Sequence, residues 1–181
     1  MLYIILIITF LVVGYIAYTY NEMVKLRNMV REQWSQIEVL LKRRSDLIPN
    51  LVEVVKGYAE HESNTLEDVV NARNRMMNVQ SKKEEIEVVK EMSNSLTKLL
   101  AVAENYPELK ANTNYLNLQE NLQETEDKIS YARQFYNDTV LKYKNIIEIF
   151  PGNMIASIFK FEPESFFEAS DSERDVPKIK F

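Results

Sequence analysis

The chain has 181 residues, 27% of them charged, a net charge of −5 and no cysteine. A surface that grips phosphate needs a basic excess, so the acidic balance argues against nucleic acid as a partner. The missing cysteine excludes disulfides, thiolate metal sites and a cysteine nucleophile, and three glycines with five prolines favour long helices over phosphate-cradling loops.

The first element is the uncharged run MLYIILIITFLVVGYIAYTYN, residues 1–21; the first charge is Glu22. As a helix, Leu2 to Tyr18 covers about 25 Å, enough for a thin hydrocarbon core. Tyr3 at one end and Tyr15, Tyr18 and Tyr20 at the other sit where an aromatic belt would place them. A cleaved secretory signal needs a basic n-region and a small-residue cleavage site, and neither is apparent. The reading is therefore a retained transmembrane helix, in contact with membrane lipid. Lys25, Arg27 and Arg31 follow the run and no basic side chain precedes it. The positive-inside rule then puts the N-terminus outside and the rest in the cytoplasm, at the cell membrane.

Four periodic segments follow. The 3,4 spacing of Met23, Leu26, Val30, Gln33, Ile37, Leu40 and Arg44 predicts a helix over about 22–44. Leu51, Val55, Tyr58, Val69, Ala72 and Met76 predict one over 47–79. Ile86, Val89, Leu96 and Leu100 predict 84–105. Tyr115, Leu118, Leu122, Ile129, Ala132, Tyr136, Val140, Tyr143 and Ile147 predict 113–150. Ser45 or Asp46 would cap the second, with Pro49 in its first turn, so Lys42-Arg43-Arg44 would form a basic turn. Short links between amphipathic helices imply antiparallel neighbours with coiled-coil-like crossings. The fold class is thus all-α: a transmembrane helix (1–21), a long antiparallel four-helix bundle (22–153), then a short apolar piece and an extended tail (154–181).

Chemistry is sparse. His61 is the single histidine, and neither H-E-x-x-H nor a Glu-x-x-His pair occurs. Glu120, Glu124 and Asp127 follow helical spacing, as do Glu53 and Glu60 more loosely, and these are the footing for a carboxylate-based metal enzyme. Polar positions within the stripes, Glu62, Thr65, Ser93 and Thr125, suit either a buried layer that fixes register or a bundle edge. No cofactor, metal or catalytic residue is expected.

The densest block is WSQIEVLLKRRSDLIPNLVEVVKGYAEHE, Trp34 to Glu62. It resembles the LemA proteins, as do AENYPELKAN (Ala103 to Asn112), LQENLQETEDKISYARQFYN (Leu118 to Asn137) and the closing Val176-Pro177-Lys178-Ile179-Lys180-Phe181. The resemblance implies an N-terminal transmembrane helix and an antiparallel helical bundle in a bacterium or archaeon, with no established catalytic activity. One departure is Lys160, where a Gly-Phe pair is expected.

The expectation is a non-catalytic, single-pass membrane protein whose bundle binds or organises other proteins, with homo-oligomerisation left open. The candidate partner surface is Lys42, Arg43, Arg44, Asp46 and Asn50. The alternative is a membrane-shaping protein that uses a membrane-proximal set: the basic Arg73, Arg75, Lys82 and Lys83 beside the apolar Phe150, Ile155, Ile158 and Phe159.

Overall fold

The computed structural model describes residues 1–167, which are mostly helical, with no strand among them. The closing residues 176–181, which carry part of the family resemblance, lie outside the described residues. Six helices follow in order: α1 Leu2–Lys56, α2 Ser63–Met77, α3 Lys82–Ala103, α4 Pro107–Lys110, α5 Thr113–Glu148 and α6 Gly152–Phe159. They divide into two units. Unit 1 comprises Met1–Ile37 and Tyr131–Phe167; unit 2 comprises Glu38–Ser130. Both α1 and α5 pass through both units.

In unit 1, α1 leaves residues 1–18 exposed, and the first buried side chain is Thr19. From there Met23, Val30, Trp34 and Ile37 form a buried stripe; Tyr136, Val140, Tyr143 and Ile147 of α5 and Ile155 and Ala156 of α6 are buried as well, and the Trp34 ring packs on that of Tyr136 at 5.3 Å. No break falls between Tyr18 and Lys25. One helix therefore changes from exposed apolar to half-buried amphipathic within a turn, as the charges begin.

Unit 2 has its own core. Ile48, Leu51 and Val55 of α1, Leu66, Val69 and Ala72 of α2, Met92, Leu96 and Leu99 of α3, and Tyr115 and Leu122 of α5 pack together. The link from Asn78 to Ser81 reverses the chain, so α2 and α3 run antiparallel. Asp68 then faces Lys98 (3.8 Å) and Arg75 faces Glu91. Such exposed pairs contribute at most about 1 kcal/mol each and chiefly report the register. Ser81 caps α3 by accepting from the Glu84 amide, and Asn112 caps α5 by accepting from the amides of Asn114 (2.9 Å) and Tyr115 (3.1 Å).

The predicted break between a first helix at 22–44 and a second at 47–79 does not exist. α1 continues through Pro49 to Lys56, and the chain turns instead at 57–62. Proline inside a helix removes the hydrogen bond to the carbonyl four residues back, here that of Ser45. Arg73 on α2 supplies the missing donor: its Nε donates to the Ser45 carbonyl at 3.0 Å. Ile48 and Leu51, buried on either side of Pro49, hold the helix in the core of unit 2. Replacing Arg73 with leucine is expected to cost about 1–3 kcal/mol by leaving that carbonyl without a partner. Chemical denaturation followed by helical circular dichroism checks this, and P49A in the same background should recover most of the loss.

Candidate functional site

The candidate partner surface lies in mid-helix, not in a turn. Lys42, Arg43, Asp46 and Asn50 are exposed, but Arg44 is 1% exposed. Position decides this, since Arg44 falls on the same face as Leu41, Ile48 and Leu51. Its Nη1 donates to Ser93 Oγ on α3 (3.1 Å) and to both carboxylate oxygens of Glu126 on α5 (3.1 and 3.3 Å). Ser93 Oγ in turn donates to the Val89 carbonyl at 3.0 Å. Arg44 is therefore a buried tie between three helices and drops out of the surface set. Of the stripe positions, Ser93 belongs to this polar layer, while the fully buried Thr125 donates to the Asn121 carbonyl of its own helix.

With Arg43 paired to Glu124, the rest of the surface set is a strip at 42, 46 and 50, one helical turn apart, flanked by a shallow groove. Leu41, Met76 and Met77 line its apolar part, and Glu38, Lys42, Asp46 and Glu85 its charged rim. Half-burial raises the Glu85 carboxyl above its ordinary value, the charge of Glu38 adds to this, and Lys82 opposes it. A raised acid favours the fold below the ordinary carboxylate range, and that contribution disappears as pH rises through its folded value. E85Q is therefore expected to be more stable than wild type at neutral pH, with the gain vanishing below the carboxylate range. Thermal melts across pH 3–8 check it.

The carboxylates named for metal chemistry are otherwise engaged. Glu124 accepts from Lys128 (2.6 Å) and Arg43 (3.2 Å), and the Lys128 hydrogen bond, then the charges of Lys128 and Arg43, hold it below its usual range. Asp127 accepts from Gln123, and Glu120 and His61 are exposed. Among the described residues, no group of three or more His, Cys, Asp or Glu is placed to hold a metal ion.

The membrane-proximal set is split between the units. Arg73, Arg75, Lys82 and Lys83 belong to unit 2, where Arg73 serves the Ser45 carbonyl and Arg75 pairs with Glu91. Phe150, Ile155, Ile158 and Phe159 belong to unit 1. There Ile155 is buried, and the other three are exposed. Ile149 and Met154, which the sequence places at the same apolar end, are exposed beside them.

Past α6 the chain runs without helix from Phe161 to Phe167 along α1 and α5. Asn137 brackets the Phe167 backbone, its Nδ2 donating to the carbonyl (2.9 Å) and its Oδ1 accepting from the amide (2.8 Å). Tyr136 donates to the Ser165 carbonyl and Tyr143 to the Glu162 carbonyl. Burial raises the pKa of both hydroxyls, with the charge of Glu164 adding to that of Tyr136. These side chains give an irregular segment the partners that a ladder would otherwise supply. Lys160 occupies the left-handed region (φ 55°) as the residue ending α6, with the Phe161 amide reaching back to the Ala156 carbonyl at 2.9 Å. Glycine is the natural occupant of that position, which accounts for the expected Gly-Phe pair. K160G should stabilise the protein by about 1 kcal/mol in a thermal melt.

Residues 33–181 match the LemA family, well over half of the chain. The chain belongs to the LemA family. Within it, the protein is 26% identical to Protein LemA of Metamycoplasma hominis, covering 85% of this chain and 71% of that one. It is also 24% identical to Magnetosome protein MamQ 2 of Paramagnetospirillum magneticum and 21% identical to Magnetosome protein MamQ of Magnetospirillum gryphiswaldense. Both matches cover 88% of this chain and 70% of the relative. Among the described residues one helix is long and apolar enough to cross a membrane, and together with these relatives it supports a membrane-associated protein.

Proposed function

We propose that this LemA-family protein is a non-catalytic, single-pass membrane protein whose helical domain is a protein-interaction scaffold on the cytoplasmic side. The observation that carries the reading is the continuity of α1: one helix holds both the exposed apolar segment at 2–18 and, further along, the strip at Lys42, Asp46 and Asn50. Unit 2 is read as an antiparallel four-helix bundle, which the antiparallel α2 and α3 and the core shared with α1 and α5 support. The basic residues after the apolar segment support the cytoplasmic orientation.

The partner surface is the groove beside the strip. An apolar centre with a charged rim is the usual make-up of a protein interface, and methionines such as Met76 and Met77 adapt to irregular partners. The test is crosslinking in native membranes followed by purification of the full-length protein, wild type against the double charge reversal K42E/D46K. Both residues are exposed, so the variant should keep wild-type stability within about 0.5 kcal/mol. Loss of a specific crosslinked partner, another copy of the chain included, supports the surface; identical partner sets remove it.

A further inference from the structure

The apolar surface of α1 does not stop at the helix. In α6, Gly152, Ile155 and Ala156 are buried against unit 1, while the outer face leaves Met154 59%, Ile158 72% and Phe159 48% exposed. The turn before it leaves Ile149 61% and Phe150 74% exposed. Large apolar side chains so crowded on one short stretch are out of place in water.

Their position gives the reason. The Tyr20 ring lies 4.8 Å from that of Phe159 and 5.6 Å from that of Phe161, centroid to centroid. Tyr15, Tyr18 and Thr19 of α1 and Ile146, Ile149 and Phe150 of α5 and the turn line one groove. The patch therefore adjoins the last turn of the apolar segment, where the aromatic residues and the first charges mark the lipid–water boundary. α6 has eight residues, far too few to cross a bilayer, yet its outer face is apolar, and Asn153 and Ser157 are its only polar side chains. Lys142 and Lys160 are exposed at either side and can extend their ammonium groups to water while their stems lie along the patch.

We infer that α6 is a second membrane-seated element: its outer face, Met154, Ile158 and Phe159, together with Phe150 of the preceding turn, lies among lipid acyl chains at the depth of Tyr20. The inference rests on reading residues 2–20 as a membrane span. The occupant is lipid, because the patch is continuous with the surface that the span itself presents to lipid. A helix gripping the bilayer at two points loses the freedom to tilt that a lone span retains. α6 thereby fixes the angle at which unit 1 stands on the membrane.

The chain has no cysteine, so single cysteines can carry spin labels in the otherwise native full-length protein. Labels at Phe150 and Ile158 are compared with one at Val12 in the span and one at exposed Asn117. The protein is reconstituted in phosphatidylcholine vesicles, with and without anionic lipid. Collision with oxygen is expected to exceed collision with a water-soluble nickel chelate several-fold at 12, 150 and 158, in both vesicles, and to reverse at 117. If 150 and 158 behave like 117 while 12 reports lipid, the inference fails and the span stands. If 12 also reports water, the span reading fails and takes the inference with it. Protection of 158 from both reagents, with spin–spin broadening, would mean that a second copy covers the patch. Protection only in anionic vesicles would mean headgroup charge and not burial. Either result overturns the inference.

Discussion

Replacing Arg44 with alanine is expected to cost about 3 kcal/mol of folding stability, more than any other substitution on the polar faces of unit 2. Breaking a buried ion pair typically costs about 3–5 kcal/mol, because the remaining partner stays desolvated. Glu126 is about a third exposed and can regain water, which pulls the figure to the low end. Alanine also removes one of the largest fully buried side chains of the protein, leaving a void between α1, α3 and α5. Arg44→Met refills that void without the charge and should recover about half of the loss. Arg44→Lys keeps the charge but offers one ammonium in place of a planar fork, so Ser93 and Glu126 cannot both be held in the same geometry. Denaturant unfolding of the detergent-solubilised protein orders the three variants. A loss below about 1 kcal/mol for alanine would show that the tie between the helices carries little of the stability. The same measurement on K42E/D46K separates the buried tie from the exposed strip, since the two lie a few residues apart on one helix with opposite exposure.

Residue type made the helical class legible: few glycines, no strand-like alternation, and 3,4 spacing wherever apolar residues recur. The apolar N-terminal helix was legible for a simpler reason, its lack of charge over 21 residues. The course of α1 was not. Local rules read Ser45, Asp46 and Pro49 as a cap and a first turn, and those rules have no access to a side chain 28 positions away that donates to the freed carbonyl. Proline in a helix does leave a usable trace, because its presence demands a donor elsewhere, and Arg73 belongs to the basic set otherwise read as membrane-proximal. Arg44 shows the same limit from the other direction. A basic triplet looks like a surface, yet its third member shares the helical face of Leu41 and Ile48, so periodicity carried the answer and composition obscured it. The membrane-proximal set joined residues that fall in different units because the proposed helix boundaries placed them at one end. Once α1 extends to Lys56, Arg73 and Arg75 have partners of their own within unit 2. Phe150, Ile158 and Phe159 keep their exposure, Phe159 beside Tyr20, while Ile155 is buried.

Gly152 ties that exposure to a second large expected effect. A Cβ at position 152 would stand 2.2 Å from the Ile146 carbonyl oxygen, 3.4 Å from the Ile146 carbonyl carbon and 3.4 Å from the Met23 methyl. Met23 can move aside; the backbone of α5 cannot without carrying its helix. Gly152 is required for space and not for an unusual dihedral, since its φ is not positive. G152A is therefore expected to destabilise the protein by about 2–3 kcal/mol, near the top of the usual range for overpacking, and to push α6 away from α1. The other two glycines make the control. A Cβ at Gly14 meets nothing within 4 Å and one at Gly57 only ordinary contacts from 3.5 Å, so G14A and G57A should show no comparable loss. Hydrogen exchange should localise the G152A effect, with faster exchange through Gly152–Phe161 and little change in α2 and α3. If α6 is seated in lipid through its packing on Tyr20 and Met23, the same substitution should also raise the collision of a label at 158 with the aqueous chelate while leaving one at Val12 unchanged. Loss of stability without that change would mean that α6 reaches the bilayer by its own apolar face and needs α1 only for its foldedness, not for its depth.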